Sequence, residues 1–372
     1  MTDPLNHATT YAYDAMNRRT SITDALSGVT SFAFDAIGNL KSLSDPSGNV
    51  TTWGYDNLNR AVSETNQFNF TRTFGYNAAG DLTSKVDRNG RKTTYEYDAL
   101  HRQTAEKWRD GSDNVIRTIS STFDNSLDLT GVSDPAAAYT YVYDNLGRVT
   151  QQTQDIAGLT PDIILAQQFD AASNRTKLSA TIGENPDFVN DYVYDNLNRL
   201  TSVTQQSGPG GEMGMPPYAN AVAEKRVDFS YFADGQFNTI TRYQSTGTSN
   251  SVAQTFHAYD GIGRLTDLDH KQNTTVLAGY DYVYDAASRI TSINSTIEGL
   301  STFTYDVTNQ LTAADHASPR ADESYSYDSN GNRTMTGYTT GTNNQTTSDG
   351  TYNYEYDNEG NMVKKTTISG GA

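Results

Sequence analysis

Along this chain short runs of alternating aromatic and polar residues are separated by polar turns, and within each run the alternation has a period of two. Rings stand at every second position in Trp53 and Tyr55, Phe74 and Tyr76, Tyr95 and Tyr97, Tyr139, Tyr141 and Tyr143, Tyr280, Tyr282 and Tyr284, and Tyr352, Tyr354 and Tyr356. A period of two predicts a β-strand with its rings on one face. Six positions past the last ring an apolar residue recurs, as in Leu40, Leu82, Val149, Leu200, Leu265, Ile290 and Leu311. A second short strand is therefore expected after a tight connection, and each run reads as half of a hairpin.

The connection has a fixed chemistry. The last ring is followed by Asp in Tyr13-Asp14, Phe34-Asp35, Tyr55-Asp56, Tyr97-Asp98, Phe123-Asp124, Tyr143-Asp144, Phe169-Asp170, Tyr194-Asp195, Tyr259-Asp260, Tyr284-Asp285, Tyr305-Asp306, Tyr327-Asp328 and Tyr356-Asp357, while Tyr76-Asn77 and Tyr231-Phe232 depart from the rule. The fourth position after the ring is Gly or Asn in eleven of the fifteen cases, Gly147 and Gly263 among them. An Asp carboxylate can accept hydrogen bonds from N–H groups one or two residues on, and Gly or Asn tolerates the left-handed backbone that closes a turn. These loops are expected to be hairpin connections built around a type I turn. The fifth position is Arg at Arg18, Arg60, Arg102, Arg148, Arg199, Arg264 and Arg289, which places a guanidinium beside the turn's Asp or its carbonyls in a structural role. A second turn, such as Asp45-Pro46-Ser47-Gly48 or Asp87-Arg88-Asn89-Gly90, joins each hairpin to the next. Two strands of six or seven residues and two turns account for the 21-residue spacing of the first five rings.

Fifteen such units in register make the repeat the dominant signal. Units such as Tyr55-Asp56-Asn57-Leu58-Asn59-Arg60 and Tyr143-Asp144-Asn145-Leu146-Gly147-Arg148 resemble the YD repeats of RHS-repeat proteins over essentially the whole chain. The resemblance implies an all-β fold in which antiparallel hairpin repeats form a long spiralling sheet, a segment of the shell seen in bacterial RHS proteins, toxin-complex subunits and teneurins. It also implies a polypeptide cargo enclosed by that shell. Neither a core region of the kind that precedes cargo release nor a cargo-like domain follows Tyr356, so a piece of a larger protein is expected, with self-association as the alternative.

One array over residues 1–372 fits better than several globular domains, because no linker separates zones of composition. The widest spacing, Tyr194 to Tyr231, holds Ser207-Gly208-Pro209-Gly210-Gly211 and Met215-Pro216-Pro217, read as a surface loop inserted at 205–226. Hydrophobic residues make up only 35% of the chain, against 25 Tyr and 13 Phe, so the rings must supply much of the burial. The same aromatic content excludes disorder.

A formal net charge of −17 and a pI near 4.6 argue against nucleic acid, whose binders need a basic stripe. Much of that acidity is the repeated turn Asp, which also aids solubility. The chain has no cysteine, so neither disulfides nor a thiolate zinc site is expected. No apolar run approaches the roughly 20 residues of a membrane helix, and Met1 to Thr10 is no signal peptide; an export signal would lie outside this segment.

The search for chemistry leaves little. His7, His101, His257, His270 and His316 stand apart from one another without metalloprotease spacing, and there is no nucleophile elbow or phosphate loop. Asp328-Ser329-Asn330-Gly331-Asn332 has some oxygen ligands of a calcium loop but a misplaced Gly. No catalytic, cofactor or metal residue is nominated. The expected function is a non-enzymatic, extracellular or cell-surface shell segment, whose partners are the rest of a larger RHS protein, further copies of itself, or an enclosed polypeptide. The alternatives are a carbohydrate or cell-surface binding module, with Trp108 in Lys107-Trp108-Arg109-Asp110-Gly111 as the ring for a glycan, and a self-assembling surface polymer.

Overall fold

The computed structural model describes residues 1–207, 222–249 and 251–368. Among them the structure is antiparallel β throughout, with 27 strands in one sheet, four in another and a single 3-10 turn at Thr342–Asn344. Within each sheet strands close in sequence pair antiparallel, as the alternation of hairpin turns requires: Thr10–Tyr13 with Arg19–Thr23, that with Val29–Phe34, and Val29–Phe34 with Leu40–Ser44. The described residues divide into two compact parts. The first holds Met1–Ile116, Tyr284–Ser292 and the chain from Leu300, and the second Arg117–Val283 with Ile293–Gly299.

In the first hairpins the strands are four to six residues long, shorter than the six or seven expected. The difference goes into the turns, each of which takes five residues from the Asp to the residue that closes it: the Asp14 N–H donates to the Arg18 carbonyl, and the Asp45 N–H to the Asn49 carbonyl. A second feature was not expected. In thirteen of the described hairpins the ladder slips just after the turn: Tyr13 faces Arg19 but Ala12 faces Ser21, and Tyr55 faces Ala61 but Gly54 faces Ser63. One residue per hairpin, often a threonine such as Thr20, Thr83, Thr150 or Thr201, is left over as a β-bulge. A bulge bends its strand and increases the local right-handed twist, so strand curvature is written into these thirteen repeats.

The core is thin. Only Ala105, Ala180 and Ala314 are buried apolar residues among those described, and no large side chain is fully enclosed. With so little apolar burial among the described residues, the sheet depends on ladder hydrogen bonds and on contacts between successive hairpins.

The predicted insertion at 205–226 is narrower in its described portion. Strand Leu200–Ser207 pairs with Lys225–Tyr231 as far as Gln205 opposite Lys225, so the ladder enters the predicted loop from both ends. Residues 208–221, including Gly210 and Met215-Pro216-Pro217, lie outside the described residues.

Candidate functional site

The YD turn is built the same way throughout. The Asp14 carbonyl accepts the N–H of Asn17, closing a type I turn, and Asn17 has φ +58°. The residue at this position has positive φ in all fifteen units, including His101, Leu127, Ser173 and Ser288, which are neither Gly nor Asn. The Asp side chain reaches farther than expected: Asp14 Oδ1 accepts from the N–H groups of Met16 and Arg18, two and four residues on, and Asp56 Oδ1 does the same with Leu58 and Arg60. One carboxylate oxygen thus satisfies the turn's inward N–H groups, and the other accepts from the arginine. Oδ2 of Asp14, Asp56, Asp98, Asp144, Asp195, Asp260 and Asp285 each lies 2.6 to 2.8 Å from a guanidinium nitrogen of the Arg four residues on. The N–H of Arg18, with its guanidinium, holds the Asp14 carboxyl below its ordinary value, and the Arg148 guanidinium does the same for Asp144.

These side chains also join each hairpin to its neighbours. Hydroxyls of Tyr55, Tyr76, Tyr97, Tyr143, Tyr194, Tyr231, Tyr305, Tyr327 and Tyr356 donate backward to a carbonyl of the preceding hairpin at 2.7 to 3.1 Å. The arginines reach forward. Arg18, Arg60, Arg148, Arg199 and Arg289 donate Nη1 to a carbonyl of the next YD turn at 2.7 to 3.2 Å, and each guanidinium lies 4.6 to 4.9 Å from the centre of that hairpin's ring. Tyrosine is therefore more than apolar bulk at the anchor, and arginine more than a partner for its own Asp. Asn39 and Asn174 replace the arginine by bonding both their own Asp and an Asn of the next turn. In the Tyr76 unit Asn77 and Asp81 exchange roles, and His101 Nδ1 sits 3.0 Å from Asp81.

Within the first part, turns of the late hairpins, YD turns and the Gly341–Gln345 turn alike, meet the turns at the far ends of the early strands, and this seam was not visible in the repeat. The Ser47 N–H donates to Asn330 Oδ1 at 3.2 Å, the Asn343 N–H to Asn49 Oδ1 at 3.0 Å, and Asn344 Nδ2 to Asp45 Oδ2 at 3.0 Å. One step along, Asn89 Nδ2 donates to Asp357 Oδ2 at 2.9 Å, and its Oδ1 accepts the Asn358 N–H at 3.0 Å. Beside them Glu359, only 8% exposed, accepts from Arg72 Nε at 2.9 Å and from the Arg88 N–H, while Arg72 and Arg88 also reach Glu64. Burial pushes the Glu359 carboxyl up, but the bonds from Arg72 and the Arg88 backbone outweigh it and leave it below its ordinary value. Seam cavities are lined from both sides: one of roughly 240 Å³ lies among Asp3, His7 and Asp24 on one side and Val307, Thr308 and Asn309 on the other.

Trp108 lies apart from these contacts. It stands opposite Thr93, its Nε1 donates to Glu106 Oε1 at 2.7 Å, and it is 40% exposed. With Thr93, Ile116 and the stems of Lys92 and Arg109 it lines a groove of roughly 280 Å³ beside the Asp87 turn. The histidines find individual partners: His7 is 3.0 Å from Asp3, His270 3.0 Å from the Thr255 hydroxyl and His316 2.8 Å from the Ser301 hydroxyl. In the Asp328 turn the carboxylate oxygens accept from the N–H groups of Asn330 and Asn332 and from the Asn332 side chain. No group of three or more His, Asp and Glu is placed to hold a metal ion among the described residues. The turn Gly341–Gln345 belongs to a hairpin, Tyr338–Thr340 with Thr346–Asp349, that has no ring-Asp signature and escaped the sequence pattern.

A sheet most of whose hairpins are capped by the same Asp-centred turn and tied to their neighbours by ring hydroxyls and guanidinium or amide side chains defines a YD-repeat β-sheet protein. A family model described as RHS Repeat matches residues 1–29, 34–66 and 76–113, and one described as Teneurin YD-shell matches residues 225–368. The chain belongs to the RHS/YD-repeat proteins. No curated protein matches it. Among solved structures, a TcdB2–TccC3–Cdc42 crystal structure superposes with a TM-score of 0.70 at 13% identity, covering 99% of this chain and 25% of that one. A TcdB2–TccC3 crystal structure gives 0.55 at 12% identity over 99% and 25%, and a Photorhabdus luminescens Tc holotoxin pore with a TccC3 mutation gives 0.57 at 14% over 97% and 22%. At these identities the likeness is one of fold, and the chain spans about a quarter of the length of the solved chains it matches.

Proposed function

We propose that this chain is a structural, non-catalytic segment of an extracellular or secreted RHS shell that encloses, presents or delivers a polypeptide. The observation that carries the reading is the seam: turns of the late hairpins seal onto early far-end turns through paired Asn, Asp, Arg and Glu side chains, which is what a continuous wall requires. The repeated residues from Tyr13-Asp14 to Tyr356-Asp357 act as its fasteners, and residues 1–372 form one array with an insertion within 205–226. Its partners are the rest of a longer RHS protein, other copies of the chain, or an enclosed polypeptide. No helix among the described residues is long and apolar enough to cross a membrane. Particle images and solution mass of the purified chain test the reading. A curved wall bounding a cavity is expected, and a flat ribbon without one would sink it.

A further inference from the structure

Asparagine precedes glycine at two places in the chain, Asn89-Gly90 and Asn330-Gly331, and both lie in the seam. The dipeptide has a chemistry of its own. A main-chain nitrogen can attack the side-chain amide of the asparagine before it, and a glycine nitrogen does so most readily, because no Cβ holds it away and its backbone turns freely. Asparagine is thermolabile through this reaction.

In both pairs the seam holds the group that would be attacked. Asn89 Nδ2 donates to Asp357 Oδ2 at 2.9 Å, and its Oδ1 accepts the Asn358 N–H at 3.0 Å. Asn330 Oδ1 accepts the Ser47 N–H at 3.2 Å, and its Nδ2 donates to Asn344 Oδ1 at 2.7 Å. The attacking nitrogens are held as well, since the N–H groups of Gly90 and Gly331 donate to the carbonyls of Asp87 and Asp328 at 2.9 and 3.0 Å. That second restraint belongs to the turn alone: the Gly147 N–H makes the same bond to the Asp144 carbonyl at 3.0 Å. Opening the seam frees the amide and leaves only the turn to resist.

We propose that Asn89 and Asn330 are sites of spontaneous deamidation that the closed seam suppresses, and that reaction there makes an opened seam unable to close again. In the open state the Gly90 nitrogen bonds to Asn89 Cγ, the bond from Cγ to Nδ2 breaks, and ammonia leaves with the proton of the glycine N–H. Water then opens the cyclic imide, at Cγ to give aspartate or at the main-chain carbonyl to give isoaspartate. Aspartate sets a carboxylate where Nδ2 met Asp357, and like charges at that distance repel. Isoaspartate adds a methylene to the main chain inside the turn that the Asp87 N–H closes on the Arg91 carbonyl. At Asn330 the same reaction removes the donor to Asn344, the residue that bonds Asp45. The inference needs only the seam, not an enclosed polypeptide.

Peptide mapping by mass spectrometry of the full chain, incubated at mildly alkaline pH, follows the mass gained at each asparagine. Leu146→Asn supplies the comparison, because it puts an asparagine before Gly147 in a YD turn that makes none of the seam contacts. Leu146 is 70% exposed, and its N–H bonds Asp144 as the Asn330 N–H bonds Asp328. Circular dichroism checks that the variants fold. The introduced site is expected to react about tenfold or more faster than Asn89 and Asn330, the worth of two hydrogen bonds, and unfolding in urea should bring all three to similar rates. Equal rates in the folded protein overturn the protection by the seam. Asn89→Asp installs the product directly, and the Asn358 N–H should then exchange about tenfold or more faster. Unchanged exchange there overturns the irreversible opening and leaves the structural reading above standing.

Discussion

Replacing Glu359 by Gln removes one charge from the most enclosed point of the seam while keeping size and shape. Glu359 and Arg88 are each 8% exposed, and Arg72 is 29% exposed. The glutamate accepts charge-assisted bonds from Arg72 and from the Arg88 backbone. A glutamine offers one acceptor oxygen, so the bond it keeps becomes neutral at a cost of about 1 kcal/mol and the other, now facing an amide NH2, is lost at about 1 kcal/mol or more, so about 2 kcal/mol in all once the solvent that reaches Arg72 is allowed for. Arg88 keeps Glu64 as a partner, which limits the loss further. The deficit should appear as local opening rather than global melting, because the ladders within each hairpin are untouched. Hydrogen exchange is the assay: the Asn358 N–H, which donates across the seam to Asn89, should exchange up to about 30-fold faster in the variant, 1.4 kcal/mol being tenfold. Amides of the Asp56 turn serve as an internal control and should not change. The same variant should flatten the acid response of the seam. The folded Glu359 carboxyl lies below its ordinary value, so its contribution is complete above the unfolded value and is lost as pH falls through the folded one. Unchanged exchange at Asn358, or acceleration spread evenly over the chain, would refute the seam as a latch.

The left-handed turn position gives two opposed substitutions. Leu127 holds φ +77°, and Leu127→Gly should stabilise by about 1 kcal/mol, whereas Gly147→Val should cost about 1 to 2 kcal/mol or more, both read from thermal or urea melts. Tyr76→Phe should cost about 1 kcal/mol for the lost bond to the Ala61 carbonyl, and equal melting of the two proteins would count against the backward tie. A double-mutant cycle on Arg60→Lys and Tyr76→Leu should return a coupling of about 0.5 to 1 kcal/mol for the guanidinium 4.8 Å from the ring; a coupling of zero would remove that contact from the lattice. Because the Asp14, Asp56 and Asp144 carboxyls titrate below their ordinary value, whole-chain stability should be level above about pH 5 and fall progressively below about pH 4.

What the sequence made legible was local. A five-residue turn is specified by its own residues, so Asp14, Asn17 and Arg18 announce their geometry to anyone counting positions, and the alternation of rings announces the strands. The forward reach of Arg60 to Asn77 and the backward reach of the Tyr76 hydroxyl to Ala61 span neighbouring hairpins, and nothing in one repeat points at a carbonyl in another. The bulge after each turn leaves only a faint trace, a threonine seven positions past many rings. The Glu359 cluster was least accessible, since Arg72 and Arg88 look like scattered surface charges until the chain returns to them. A partial signal did exist: the third position past the ring, aliphatic in Met16, Ile37, Leu58 and Leu100, is polar in Asn330 and Glu359, although it is polar in Ser126 and Asp234 as well. His101 shows the converse, a residue with several conceivable chemical roles whose φ of +62° explains its presence as turn geometry.

The seam also sets an order of events in folding. Tyr76 bonds a carbonyl 15 positions earlier, whereas Asn89 and Asp357 are 268 positions apart. Contacts of the first kind form as soon as a hairpin is complete, so the sheet can lengthen from its start while the chain is still being synthesised. Contacts of the second kind must wait until nearly everything between them exists. During that interval the Asp45 and Asp87 turns stand ready without their intended partners, and any other chain presenting the same turn could claim them first. Fidelity of assembly then becomes a race between elongation and encounter, decided by synthesis rate and local chain density rather than by the stability of the finished sheet.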